Sequence, residues 1–188
     1  MSWELWAVIG GFALVFLALL SSFFALAVTR VPVLRTPAEL LPDIRRALAL
    51  GEGQVLVDAG CADARTLLAF CRGAAVRGRG FELNGPVWLA ARLRVLLAGR
   101  AVDVRVAWKD FFRTDLEDVD VVYCYLMPAA MARVARKCAA EMRPDSRLVS
   151  FLWAVPGWEP SETVPVGRLG DPLYIYRIAA DMPPPELH

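Results

Sequence analysis

Residues 55–65 read VLVDAGCADAR, and residues 78–84 read GRGFELN. The first stretch is an apolar strand that runs into a tight acidic turn, and the second is a strand that ends in an acid, Glu82. One helix-sized stretch separates them. Strand, turn, helix and acid-tipped strand, in that order, describe an open α/β sheet that takes an adenosine-bearing ligand across the carboxyl ends of its strands. The glycine lets the backbone approach such a ligand, and the acid accepts from the ribose hydroxyls. Asp58 and Gly60 supply the turn here, and Glu82 supplies the acid.

The chemistry of the turn separates two ligands. A dinucleotide site carries G-x-G-x-x-G and lays a pyrophosphate on a helix N-terminus. This turn reads Gly60-Cys61-Ala62-Asp63-Ala64-Arg65. A carboxylate at Asp63 would repel a pyrophosphate, whereas it suits the sulfonium and amino group of S-adenosylmethionine (SAM). SAM is therefore the expected cofactor, ahead of NAD.

The remaining pattern extends the same sheet. Strands are expected over 54–59, 77–83, 102–108, 119–126 and 147–154, with 163–168 and 173–178 closing as an antiparallel meander. Residues 119–126, VDVVYCYL, are nearly continuous apolar, as a parallel strand buried on both faces requires. Helices fill the gaps. One carries Leu67, Leu68, Phe70 and Cys71. A second opens at Pro86, with Val87, Ala90, Leu93 and Leu97 as its expected core stripe and Arg92 and Arg94 facing away. A third begins at Pro128 with Met131, Val134, Ala135, Cys138 and Met142 inward, and Lys137 with Glu141 as an outer-face pair. Strands alternating with helices before a closing hairpin predict an α/β, Rossmann-like class I methyltransferase sheet of seven strands, the last ones antiparallel.

The amino end is a different object. Residues 5–29 contain no charge, and as a helix they rise ~37 Å, enough to cross a bilayer with some tilt. A signal peptide would carry basic residues before a shorter apolar run of ~7–15 residues. Glu4 and the length of the run favour an uncleaved single-pass anchor. Arg30, Arg35, Arg45 and Arg46 follow it, which places the domain on the cytoplasmic side of the inner membrane, with Trp3 and Trp6 in the opposite interface.

The expected organisation is an anchor over 1–30, a juxtamembrane linker or helix over 31–53, the catalytic domain over 54–180 and a disordered proline-rich tail over 181–188. A formal net charge of +1 argues against a nucleic-acid partner. Cys61, Cys71, Cys124 and Cys138 show no C-x-x-C spacing, and the one histidine is at the end of the chain, so no metal is expected. The cysteines read as reduced core residues.

Beyond these patterns the chain resembles the membrane-anchored seven-β-strand SAM-dependent protein-lysine methyltransferases, and looks like a bacterial relative of the mitochondrial enzymes that act on the adenine nucleotide translocase and the ATP synthase c subunit. The likeness rests on the apolar amino-terminal helix, Val31-Pro32 to Thr36-Pro37, VDAGCADAR, GFELN, residues 108–112, Tyr125-Leu126-Met127-Pro128, Pro156-Gly157-Trp158 and Leu173-Tyr174-Ile175-Tyr176. It implies a cofactor site of Asp58, Gly60, Cys61, Asp63 and Arg65 in the first motif, Glu82 on the ribose with Leu83 and Asn84 after it, and Asp110 near the adenine with Phe111 beside it. It also implies a membrane protein as substrate. The family pattern D-x-G-S-G-D-G-R departs here at Cys61, Ala62 and Ala64. An alanine held at positive φ costs on the order of 1–2 kcal/mol.

Methyl transfer from a sulfonium is an in-line displacement, so a protein must align a neutral nucleophile and exclude water. A lysine amine must first lose its proton, which an apolar, aromatic-lined pocket promotes. Tyr125 and Pro128, at the end of the fourth strand, are the expected substrate-positioning residues, with Trp158 as a pocket wall. Three functions fit: methylation of a lysine on a membrane protein, methylation of a lipid-soluble small molecule, and a tethered binding module without catalysis.

Overall fold

The computed structural model describes residues 3–29, 35–73, 75–99 and 103–186. Arg30 and the Val31-Pro32 pair lie outside them. Seven strands form one sheet: β1 Val55–Asp58, β2 Arg77–Glu82, β3 Val104–Trp108, β4 Val121–Cys124, β5 Arg147–Phe151, β6 Glu162–Val166 and β7 Asp171–Arg177. Their order is β3-β2-β1-β4-β5-β7-β6. The first five are parallel, and β7 runs antiparallel to both β5 and β6, as the sequence predicts. β4 is shorter than the apolar run 119–126, because Tyr125 to Met127 leave the sheet to reach the proline that opens the next helix.

Alternation along β1 divides the core in two. Leu56 faces one side together with Tyr123 and Val149, beneath α2 (Leu41–Leu48), α3 (Arg65–Cys71) and α4 (Gly85–Leu97). Val55 and Val57 face the other, with Leu148 and Tyr176, beneath α5 (Pro128–Glu141). All four free cysteines are buried, as a reduced core predicts. A long helix, α1 (Trp3–Thr29), precedes the domain and lies against α4. Its window 3–20 is long and apolar enough to cross a membrane, and none of it is buried.

Three local expectations are corrected. On α4 the inward residues are Ala91 and Val95, with Val87 and Trp88 half-buried, whereas Ala90, Leu93 and Leu97 point out. The helix is apolar on two sides. The Trp88 indole, which donates to the Val106 carbonyl oxygen at 3.3 Å, goes with the side that faces β3. Lys137 is not on an outer face: it is buried, donates to the Thr114 carbonyl oxygen at 2.5 Å and pairs with Glu141 at 2.6 Å. Residues 181–186 fold back on the loop after β5, where proline-rich composition predicts a disordered tail. The Trp158 indole donates to the Pro183 carbonyl oxygen at 2.7 Å, and the Glu186 amide donates to the Pro156 carbonyl oxygen at 3.1 Å.

Candidate functional site

The strand order reverses direction at β1, which has β2 on one side and β4 on the other. Ligands of open α/β sheets bind at the carboxyl ends of the strands at such a switch point. A cleft opens there, lined among others by Asp58, Gly60, Ala62, Thr66, Tyr123 and Tyr125, and roofed by Arg35 and Thr36 from the segment before α2.

The turn after β1 is held against β2. The Cys61 amide donates to the Phe81 carbonyl oxygen at 3.0 Å, and the Ala64 amide donates to that of Cys61 at 2.7 Å. This close packing needs glycine at 80, since a Cβ there would stand 2.7 Å from the Cys61 sulfur. A Cβ on Gly60 would meet the Leu126 side chain at 3.2 Å, a tight contact at the mouth of the cleft. Ala62 and Ala64, at φ of 45° and 60°, occupy the left-handed region that the family pattern gives to glycine.

Asp58 is 4% exposed, and its carboxylate accepts one long hydrogen bond, from the Gly60 amide at 3.4 Å. Burial pushes its pKa up to about 7, with the Gly60 hydrogen bond opposing and Glu82 adding to the rise. A buried carboxylate with so little support calls for a cationic partner. Burial also raises Glu82, against amides of Asn84, Leu83 and Ala62 that pull it down; the Asn84 amide donates to it at 2.8 Å. Asp63 is different. Arg65 and Arg94 hold it at 3.4 and 3.2 Å, so its charge is already met by the protein. Both Asp58 and Asp63 line the cleft, and among the described residues Asp58 forms no ion pair.

The other sequence-predicted residues divide between this edge of the sheet and the core. Leu83 and Asn84 follow Glu82, and Asn84 caps α4 by accepting from the Val87 amide at 3.2 Å. Asp110, after β3, caps a short helical turn by accepting from the Phe112 amide at 2.9 Å. Phe111 is buried against Phe81, with ring centroids 6.3 Å apart, on the α5 side of the sheet. Tyr125 lines the cleft and packs edge-on against Phe151 at 4.9 Å. Pro128 starts α5 and is solvent-exposed. Trp158 does not line the cleft. It is buried against Tyr176 on the far side of the sheet, and its indole is bonded to the tail.

Arg35, Thr36, Thr66 and Tyr123 are cleft residues that pattern reading leaves unassigned. Tyr123 reads as one more apolar position of a buried strand, yet its hydroxyl meets that of Thr36 at 2.8 Å across the roof of the cleft. No cluster of His, Cys, Asp and Glu suited to a metal occurs among the described residues.

Comparison with known proteins agrees with this architecture. Residues 58–162 match the family described as the ANTKMT methyltransferase domain. A protein-lysine N-methyltransferase of Saccharolobus islandicus (strain REY15A) is 24% identical over 154 residues, covering 80% of this chain and 96% of the relative. The adenine nucleotide translocase lysine N-methyltransferase of Mus musculus is 30% identical over 139 residues, which span 73% of this chain and 59% of the mouse protein. Among solved structures, an RNA methyltransferase from Salinibacter ruber in complex with S-adenosyl-L-homocysteine superposes with a TM-score of 0.74 at 27% identity, covering 80% of this chain and 97% of that one.

Proposed function

Because the chain belongs to the ANTKMT methyltransferase domain family and is a SAM-dependent protein-lysine N-methyltransferase, we propose that its substrate is a lysine on a membrane protein close to the bilayer surface. The observation that carries this reading is α1, a helix of 27 residues whose apolar window has no buried residue, amino-terminal to the catalytic domain. A tether of this kind raises the effective concentration of membrane-embedded targets over soluble ones without any new contact. The mouse relative, named for a lysine of the adenine nucleotide translocase, supports the same class of target. The arginines after α1 favour a cytoplasmic domain on an inner membrane.

The residues in the cleft and along the same edge of the sheet fit the cofactor. When bound, SAM supplies an activated methyl group on a sulfonium. Glu82, at the tip of β2, accepts from the ribose hydroxyls, and Asp58 balances the positive charge of the methionine end. Arg35, on the roof of the cleft, is suited to the methionine carboxylate. Asp110 takes the adenine side, beyond β3. Tyr125 and Leu126 present a half-buried, largely apolar wall at the end of β4, which excludes water and disfavours the cationic form of an entering amine. The lysine then attacks as the neutral amine.

The test is to incubate the full chain and methyl-labelled SAM with membranes from a deletion strain, with Glu82→Ala as the blank, and to identify labelled species by mass spectrometry. Label on a lysine of a membrane protein is expected. Label confined to the lipid extract would replace this substrate with a lipid-soluble small molecule.

A further inference from the structure

The two-sided character of α4 has no use in the catalytic fold. Ala91 and Val95 are fully buried against the sheet. On the opposite side Leu89, Leu93, Leu96 and Leu97 are 51, 52, 51 and 88% exposed. At 3.6 residues per turn these four leucines fall within an arc of about 100°. A helix that is apolar all round is ordinarily covered all round, and an exposed apolar face of this kind marks an interaction site.

The surroundings identify the occupant as lipid. α1 lies against α4 and itself exposes Phe12, Leu14, Phe16 and Leu19. Arg92 is exposed at one border of the leucine arc. Trp108, at the end of β3, is 63% exposed, stacks on Trp88 with ring centroids 6.0 Å apart, and donates its indole N–H to the Leu83 carbonyl oxygen at 2.8 Å. Its polar edge is thus bonded inside while its ring faces out. Leucines bordered by an arginine, with an exposed tryptophan on the adjacent strand, match the interfacial zone of an anionic bilayer, where apolar side chains enter the acyl boundary and cations meet headgroups.

We propose that the outward leucine face of α4 rests in the headgroup–acyl boundary of an anionic bilayer and forms a second membrane contact beside α1. Docking there fixes the orientation of the site as well as its distance from the membrane. Asn84, two residues after Glu82, caps α4, and Arg94 of α4 holds Asp63 of the turn after β1. The turn after β1 is therefore tied to the element that touches lipid. This inference rests on α1 being a membrane anchor.

The test uses the full chain in nanodiscs of phosphatidylcholine and phosphatidylglycerol. The four native cysteines are buried, so an environment-sensitive fluorophore can be attached at Leu93→Cys, at Phe12→Cys in α1, and at Leu169→Cys, which is 91% exposed on the β6–β7 turn at the far edge of the sheet. The expected result is that the Leu93→Cys probe is quenched by shallow spin-labelled lipid and shielded several-fold from aqueous iodide relative to the Leu169→Cys probe. Iodide access at Leu93→Cys equal to that at Leu169→Cys, with Phe12→Cys still in lipid, would overturn the docking and leave the anchor standing. Shielding at Leu93→Cys from both quenchers would also overturn it, since protein and not lipid would then cover the face. A Phe12→Cys probe open to iodide would overturn the anchor and the docking together.

Discussion

The hydroxyls of Thr36 and Tyr123 lie 2.8 Å apart in the buried interior and join the segment before α2 to β4. Burial raises the Tyr123 hydroxyl well above its usual pKa, so this is a bond between neutral groups. Thr36→Val leaves the Tyr123 hydroxyl without its partner and should cost roughly 1–3 kcal/mol of stability. Thr36→Val combined with Tyr123→Phe should cost less than the sum of the two single changes. Denaturant unfolding of the three variants measures this coupling, and SAM titration of the same proteins reads whether the roof of the cleft contributes to affinity.

Ala62 and Ala64 hold the left-handed conformation in the cofactor turn. Replacing either with glycine should relieve on the order of 1 kcal/mol of backbone strain. Ala62→Gly should also tighten SAM binding, because its methyl group lies in the cleft lining. A thermal shift with and without SAM separates the two effects. Markedly weaker binding by Ala62→Gly would show that position 62 does not approach the cofactor.

Asp58 gives the protein a pH signature. Its folded pKa of about 7 exceeds the 3.8 of a free aspartate side chain, so between those values the folded state keeps a proton that the unfolded chain has lost. Stability therefore falls as pH rises through that window. Asp58→Asn should flatten this dependence and raise the melting temperature at about pH 8, since it removes a buried charge whose cost is a few kcal/mol. The same variant should bind SAM more weakly. Wild-type affinity should rise between about pH 6 and pH 8 as the carboxylate ionises. Melting curves and titrations across that range check both signs.

Much of the sheet was legible because period-two burial, glycine turns and proline-led helices each act over a few residues. Asp58, Gly60 and Glu82 could be placed at one edge of the sheet for the same reason. What pattern reading could not reach depended on partners far along the chain. Trp158 reads as a pocket wall until the Pro183 carbonyl oxygen is found on its indole. Lys137 reads as a surface residue until the Thr114 carbonyl oxygen and the Phe111 ring, 5.8 Å from its ammonium, account for its burial. On α4 both the stripe of Leu93 and Leu97 and the pair of Ala91 and Val95 have helical spacing, and only the position of β2 and β3 decides which is inward.

The role of Glu82 is the central claim, and calorimetric titration of SAM into the full chain tests it most directly. Glu82→Ala removes the charged acceptor proposed for the ribose hydroxyls, worth roughly 1.5–3 kcal/mol, so affinity should fall about tenfold or more. Equal SAM affinity for wild type and Glu82→Ala would contradict the placement of the cofactor at the tip of β2.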